Sequence, residues 1–401
     1  MLANPFVVFI LSFGMVLLIY QLGWSELYLP LSYDVLLFFA TTFLSAGLLA
    51  RFTSPAIQNG RGYVAGLLPH YATWFVIVTF VAEILLAGGV PILLVLGGKE
   101  FYTQEANAVH LHAFTFWIVF STIRFADFIY SRNLRYLIEA GLPVLFFGLL
   151  IYRGSALMCL ASWAFIFVIC NRSLRVWHAA VAGALAILIF YGNGVIGDIR
   201  SPQQEILIGE PTKAFKESVI PRNFFWSYLY STVSIANLQL TVDLMDGNKG
   251  TVAEFVASEF LPDTISKRVL PLLNDGISSN MGNLVSRDQL YGWEQPQVSP
   301  GLNISTIFGR SYGFFGWLGP AIMFVALCSF IVTYLILIRS SPYRVPALAL
   351  LNTLVLFCLF NNMLVSAATL PTLIWPLLLP PWKRSPERAT AESSRANHGQ
   401  G

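Results

Sequence analysis

The chain has 401 residues, of which 56% are hydrophobic and only 11% are charged, and its formal net charge is +3. A soluble domain carries roughly 25% charged residues, so this chain has too few to cover a water-facing surface, and the small net charge gives no footprint for nucleic acid. Repeated apolar runs of about 20 residues predict an all-α polytopic membrane protein, because the short alternating segments of a transmembrane barrel are missing from the sequence.

Apolar runs predict ten membrane spans along the chain. They cover residues 3–21, 31–50, 68–96, 111–130, 134–152, 155–170, 176–196, 314–338, 345–361 and 363–380. The third span is long and contains Gly88-Gly89-Val90-Pro91, a sequence that breaks or kinks a helix. The first run lacks the basic start and the cleavage site of a signal peptide, so it is predicted to be a retained span.

The lysines and arginines of the short loops set the orientation, because cytoplasmic loops are enriched in these cations. One set of loops carries eight of them and the C-terminal tail four more, whereas the opposite short loops carry only Lys99 and Arg153. Both termini are therefore predicted to be cytoplasmic. Residues 1–196 hold spans one to seven, 197–312 form a large outer loop, and 313–380 hold spans eight to ten. The polar tail 381–401 is predicted to be disordered.

Two charged groups stand where the seventh span ends, at Asp198 and Arg200. In one interpretation Arg200 anchors a helix end among lipid headgroups. In the other it binds phosphate, for which the planar guanidinium is suited. Glu83, inside an apolar run, needs a partner or a wet cavity.

The start of the fourth span carries His110 and His112, which point apart on a helix and make a poor metal site. Either both are interfacial histidines, or one of them donates to the substrate or acts as a base toward it. Arg124 and Asp127, three residues apart, are interpreted as a structural pair. All four cysteines lie in apolar runs without metal-binding spacing, so they are interpreted as small buried hydrophobes and no metal site is predicted.

Four stretches together resemble the Wzy-type O-antigen polymerases, a family of bacterial oligosaccharide repeat-unit polymerases. They are "EILLAGGVPILLVLGGKEFYTQEANAVHLHAF" from Glu83, "GDIRS" from Gly197, "WSYLYSTVSIANLQ" from Trp226 and "NISTIFGRSYGFFGWLGPAIM" from Asn303. Their order along the chain and the predicted topology are similar to those of the family.

The resemblance implies a bacterial inner-membrane glycosyltransferase with GT-C-like architecture and a periplasmic large loop. Its substrate would be a polyprenyl-diphosphate-linked oligosaccharide, with no nucleotide sugar, cofactor or metal. Arg200 would contact the donor diphosphate, and Asp198 would orient Arg200 or act as a base. Glu83 and His112 complete the candidate catalytic set. Besides the lipid bilayer, the family implies a chain-length regulator as partner.

The same resemblance supplies candidates for substrate binding. Arg222 is a second candidate phosphate contact, Tyr228, Asn237 and Asn303 are candidate sugar contacts, and Tyr312 is a further candidate for substrate binding.

Three other functions are open. An O-antigen ligase has a similar topology but a histidine-bearing outer loop, and this chain has no histidine between His178 and His398. A lipid-linked oligosaccharide flippase predicts two related halves with matching broken helices, and no such repeat is visible. A scaffold without catalytic activity is the third.

Overall fold

The computed structural model describes residues 2–58, 63–97, 108–171, 209–273 and 294–380, together with 183–184, 187–188, 191–192 and 194–195. Within these residues the regular structure is helical, apart from an isolated bridge between Ser25 and Pro211. The predicted all-α fold is confirmed. The principal helices, numbered in chain order, are α1 (Pro5–Tyr20), α2 (Tyr33–Gln58), α3 (Tyr71–Leu86), α4 (Pro91–Leu96), α5 (Ala108–Ser131), α6 (Leu134–Leu149), α7 (Arg153–Cys170), α8 (Lys213–Lys216), α9 (Asn223–Leu244), α10 (Val252–Glu259), α11 (Asp263–Leu273), α12 (Gly309–Phe315), α13 (Leu318–Leu337), α14 (Arg344–Phe357) and α15 (Leu370–Leu378).

Several helices are suited to crossing a membrane. Five segments of the described chain are long and apolar enough, namely Tyr33–Pro55, Tyr71–Val95, His110–Ser131, Arg153–Cys170 and Leu318–Ser340, and α1 and α14 are shorter apolar helices. The chain is therefore a helical protein of multi-pass membrane character. The predicted seventh span lies mostly outside the described residues, and the predicted disordered tail lies wholly outside them. The count of ten spans therefore stays a prediction.

The predicted interruption of the third span is confirmed. Gly88 and Gly89 have φ of +71° and +147°, values that residues other than glycine rarely adopt. Val90 is extended, and Pro91 then starts α4, a position where its missing N–H costs nothing. A long apolar segment is thereby divided into two helices.

The predicted tenth span, 363–380, is helical only from Leu370 to Leu378. Residues 358–369 form turns, and some of their polar groups bond to other segments. The carbonyl of Val365 accepts from the N–H of Asp263 at 2.9 Å. An irregular backbone beside apolar spans is tolerated where protein covers it or it lines a cavity.

The chain forms two compact units that alternate along the sequence. The first comprises Met1–Asn59, Val168–Ile336 and Leu351–Leu370, and the second comprises Gly60–Phe167, Leu337–Leu350 and Pro371–Gly401. The core of the first unit includes a group of phenylalanine rings contributed by α1, α2 and the residue before α12, namely Phe9, Phe13, Phe39 and Phe308.

The second unit is organised around a buried guanidinium. Arg124 is fully buried and pairs with Asp127 at 3.2 Å and with Glu139 at 2.8 Å, which confirms the predicted structural pair. The rings of Phe120 and Tyr136 lie about 5.4 and 5.3 Å from the guanidinium carbon. Two carboxylates and two flanking rings thus compensate the desolvated cation.

Candidate functional site

The first unit contains a polar cavity of about 280 Å³. It lies where α9, the end of α10 and the start of α12 meet two irregular stretches, 294–308 and 358–369. Its lining is dominated by carboxamides and also holds hydroxyls, one carboxylate and one guanidinium. The lining residues are Asn237, Glu259, Gln295, Gln297, Asn303, Ile304, Ser305, Thr306, Arg310, Phe360, Asn361 and Asn362.

One buried amide fixes the wall formed by residues 294–308. The Nδ2 of Asn237 donates to the carbonyls of Leu302 and Ile304, at 2.7 Å each, and its Oδ1 accepts from the N–H of Val298 at 2.8 Å. These bonds satisfy the backbone of a segment that has no helix of its own. Asn237 therefore lines the cavity while its polar atoms hold the wall.

A second amide, that of Gln295, joins this wall to α9 and ties together two points of the wall itself. Its Nε2 donates to the hydroxyls of Thr241, at 3.2 Å, and Ser305, at 2.7 Å. Gly309, the first residue of α12, lies so close that a Cβ there would overlap both the Ser305 hydroxyl and the Gln295 amide. The cavity geometry depends on the absence of a side chain at this position.

The carboxylate of the cavity belongs to Glu259, the last residue of α10, which is only 1% exposed. Its Oε2 accepts from Nδ2 of Asn362 at 2.9 Å, and its Oε1 accepts from the hydroxyl of Ser258 at 3.1 Å. The same Nδ2 donates to the backbone carbonyl of Glu259 at 3.0 Å. The carboxylate is therefore desolvated, oriented and close to a cavity, which are the requirements for a group that exchanges a proton with a ligand.

The remaining polar groups suit a ligand rich in hydroxyls. Gln297 and Arg310 are half-buried, and Asn303 and Asn361 are exposed, so all four are accessible from the cavity. A carboxamide both donates and accepts, which matches a hydroxyl that does the same. The guanidinium of Arg310 adds a planar donor suited to phosphate or carboxylate.

Of the residues predicted from the sequence, Asn237 and Asn303 line this cavity. Tyr312 lies on α12, two residues after Arg310, and its ring lies edge-on to Trp317 at 5.2 Å. Burial and the negative charges of nearby aspartates raise the pKa of Tyr312 above its ordinary value.

Tyr228 belongs to an aromatic cluster in the first unit and does not line the cavity. It packs against Trp24 and Tyr28, and its hydroxyl donates to the carbonyl of Tyr20 at 3.3 Å. Burial raises the pKa of Tyr228 to about 12. Arg222 precedes the first residue of α9 and is also absent from the cavity lining.

Glu83, His110 and His112 all lie in the second unit. Glu83, near the end of α3, is hydrogen-bonded to Nδ1 of His110 at 2.7 Å, and both side chains are nearly buried. The pair supplies the partner that an intramembrane carboxylate needs. His112 instead packs edge-on against the ring of Trp375. Asp198 and Arg200 lie outside the described residues.

The cavity also contains residues that the sequence did not single out, chiefly Glu259, Arg310, Gln295 and Asn362. One signal for the cavity is visible in the sequence. Asn361-Asn362 interrupts the apolar stretch where the ninth and tenth predicted spans meet. Two adjacent carboxamides there indicate a polar environment. Glu259 gives no such signal, because carboxylates are common in outer loops.

Comparison with known proteins yields no match: no protein-family model, no curated protein and no solved structure is significantly similar to the chain. The described residues also contain no group of three or more His, Cys, Asp or Glu side chains arranged to hold a metal ion. The class that the fold defines is thus a multi-pass helical membrane protein, and within its first unit lies a cavity lined by amides, a carboxylate and a guanidinium.

Proposed function

We propose that this protein is a membrane glycosyltransferase that polymerises polyprenyl-diphosphate-linked oligosaccharide repeat units into a bacterial surface polysaccharide. The proposal includes ten spans in the inner membrane, cytoplasmic termini, a periplasmic large loop and a GT-C-like architecture. The observation that carries it is the polar cavity, in which carboxamides surround a buried carboxylate and a guanidinium.

The composition of the cavity supports a carbohydrate ligand. Sugars present many hydroxyls, and each is best recognised by a group that donates and accepts at fixed positions. Six of the lining residues are Asn or Gln. Such a lining is unusual beside apolar helices, where an unpaired amide is costly.

A contact between distant segments supports the proposed topology. Glu259 belongs to the predicted outer loop, whereas Asn362 lies between the predicted ninth and tenth spans, which is also an outer position. Their side chains are hydrogen-bonded at 2.9 Å, as two segments on the same side of a membrane allow.

The proposed chemistry is a glycosyl transfer. The oxygen of an acceptor hydroxyl attacks the anomeric carbon of the donor sugar, and the bond between that carbon and the diphosphate oxygen breaks. The hydroxyl proton passes to the carboxylate of Glu259. Polyprenyl diphosphate leaves with the bonding electron pair, and its growing charge is stabilised by Arg310 and, as the family resemblance implies, by Arg200.

Substitution of Glu259 tests this proposal. Glu259→Gln keeps the shape of the side chain and one acceptor oxygen for the Nδ2 of Asn362, replaces the other oxygen by an NH2 that can donate to the hydroxyl of Ser258, and removes the basicity. Loss of a general base lowers the rate by about 10²–10⁴-fold, measured with the purified full-length protein in nanodiscs and lipid-linked repeat units as substrate. The matched control is Glu254→Gln on the same helix, because Glu254 caps the N-terminus of α10 and Gln also serves there. Equal rates for both variants would exclude Glu259 as the base.

Arg200 and Arg310 test the diphosphate contact. Arg200→Ala is expected to abolish polymer at normal membrane protein levels, and Arg200→Lys to restore it only in part, because a point charge lacks the planar fork. Arg310→Ala is likewise expected to abolish polymer, and Arg310→Lys to restore it only in part. If Arg200→Ala still makes full polymer, Arg200 does not contact the diphosphate, and its interpretation as a headgroup anchor stands.

Deletion of the gene separates the proposal from its alternatives. A polymerase predicts that the ladder of surface glycans collapses to a single repeat unit on its lipid core. Loss of every capped core would indicate a ligase or a flippase instead. Lipid-linked units would then accumulate on the outer leaflet for a missing ligase and on the inner leaflet for a missing flippase.

A further inference from the structure

Helix α10 exposes an apolar stripe. Val252, Val256 and Phe260 recur every four residues along α10 and its C-cap and are 67%, 45% and 40% exposed. Residues at this spacing share one face of a helix, and Ala253 on the same arc is exposed as well. Around the rest of the helix, residues such as Phe255 are buried.

The contacts of α10 place it beside the start of a membrane-spanning helix. Phe255 packs against the rings of Phe314 and Phe315. These two rings end α12, and α13 begins three residues later at Leu318, within a segment apolar enough to cross a membrane. Leu318 is itself 63% exposed. The stripe therefore lies on a helix that packs beside the start of α13.

The loop before α10 also packs beside the start of α13. The N–H of Lys249 donates to the carbonyl of Gly313 at 3.0 Å. Gly247 has φ of +65°, and a Cβ there would overlap the backbone of Gly316. Such close backbone contacts hold the loop and α10 against the junction of α12 and α13.

Exposed cations lie just before α10 in sequence and on the following helix, α11. Lys249, Lys267 and Arg268 are exposed, and Ile265 beside them is 48% exposed. Of the nearby carboxylates, Glu254 is bound in the capping box of Thr251, Asp263 is half-buried in the first turn of α11, and Asp246 is exposed. An apolar face with a basic border is typical of helices that lie in the membrane interface.

We propose that α10 and α11 lie on the bilayer surface, with the stripe (Val252, Val256 and Phe260) at the boundary between headgroups and acyl chains and with Lys249, Lys267 and Arg268 facing anionic lipid headgroups. The partner of this surface is thus the lipid bilayer. Because Glu259 ends the same helix, this contact also fixes the depth of the cavity at the membrane surface. This proposed contact with the bilayer does not depend on the glycosyl-transfer reaction.

The depth of one label tests the proposal. A nitroxide is attached at Val256→Cys in the full-length protein, in nanodiscs that contain phosphatidylglycerol. The unsubstituted protein, labelled in parallel, gives the background from the four native cysteines. We expect the label to lie about 5–10 Å below the phosphates, accessible to oxygen and shielded from a water-soluble nickel chelate. Glu217→Cys, at an exposed position in an ion pair with Lys213, is the water-facing control.

Two results would overturn the proposal. A label at Val256 as accessible to the nickel chelate as that at Glu217 would place the stripe in water. A label shielded from both oxygen and nickel would show that protein covers the stripe. Neither readout depends on catalytic activity.

The charges are tested by the double variant Lys267→Glu and Arg268→Glu in the labelled protein. We expect the label to become shallower in phosphatidylglycerol nanodiscs and to keep its depth in phosphatidylcholine nanodiscs. An unchanged depth in both lipids would overturn the assignment of anionic headgroups.

Discussion

Replacing Asn237 with Leu tests whether one amide holds the cavity wall. The change keeps the approximate shape of the side chain and removes its bonds to the carbonyls of Leu302 and Ile304 and to the N–H of Val298. A hydrogen bond contributes about 1 kcal/mol net. The loss of three bonds should lower the free energy of local opening of segment 294–308 by about 3 kcal/mol.

Amide hydrogen exchange measures this quantity directly. Since 1.4 kcal/mol corresponds to a tenfold change, the Val298 N–H should exchange roughly a hundredfold faster in Asn237→Leu. The matched control is Ser231→Ala on the same helix, because the hydroxyl of Ser231 donates to a carbonyl one turn earlier, that of Ser227, at 2.7 Å. The control should leave segment 294–308 unchanged.

Two outcomes would refute the reasoning. Unchanged exchange in segment 294–308 would show that the amide of Asn237 does not hold this wall, and loss of activity in that case would make Asn237 a direct sugar contact. Acceleration spread over the whole first unit would show that Asn237 supports the fold generally.

The remaining predictions concern packing and buried charge. Gly309→Ala should lower activity and cost about 1–3 kcal/mol of stability, because its Cβ displaces the Ser305 hydroxyl and the Gln295 amide, whereas Gly301→Ala, with open space around it, should behave as wild type in the same assays. Arg124→Leu removes the buried guanidinium that pairs with Asp127 and Glu139 and should destabilise the protein by about 3–5 kcal/mol. Arg135→Ala removes the second cation paired with Glu139, but because that side chain is 57% exposed the change should cost at most about 1 kcal/mol; equal shifts in thermal unfolding would contradict this. Glu83→Gln keeps a hydrogen bond to its histidine, so normal activity would assign Glu83 a structural role and lost activity would require its charge.

Local features were predictable because their causes lie within a few residues. Gly88-Gly89-Val90-Pro91 breaks the third predicted span through positive φ values and a proline start, and both are properties of those residues. Arg124 and Asp127 pair because a helix brings residues three apart together. Neither required knowledge of the rest of the chain.

The tenth predicted span shows where this reasoning ends. Hydropathy treats 363–380 as one apolar run, yet its first residues form turns. Asn362, just before the run, bonds to Glu259, and the carbonyl of Val365 accepts from the N–H of Asp263. These partners lie about a hundred residues away in sequence. A hydropathy window contains no information on them, so the helix was predicted to begin too early.

By itself, then, the sequence determined the class of this protein, its apolar helices and their local breaks, because burial in lipid and helix geometry depend on composition and near neighbours. Only the tertiary structure decided which polar residues share a cavity. Glu259, Gln295 and Asn362 come from separate segments. Asn362 bonds to Glu259 and Gln295 bonds to Thr241, partners that chain topology brings close. Such long-range pairing of polar groups is set by the packing of the whole unit, which no short stretch encodes.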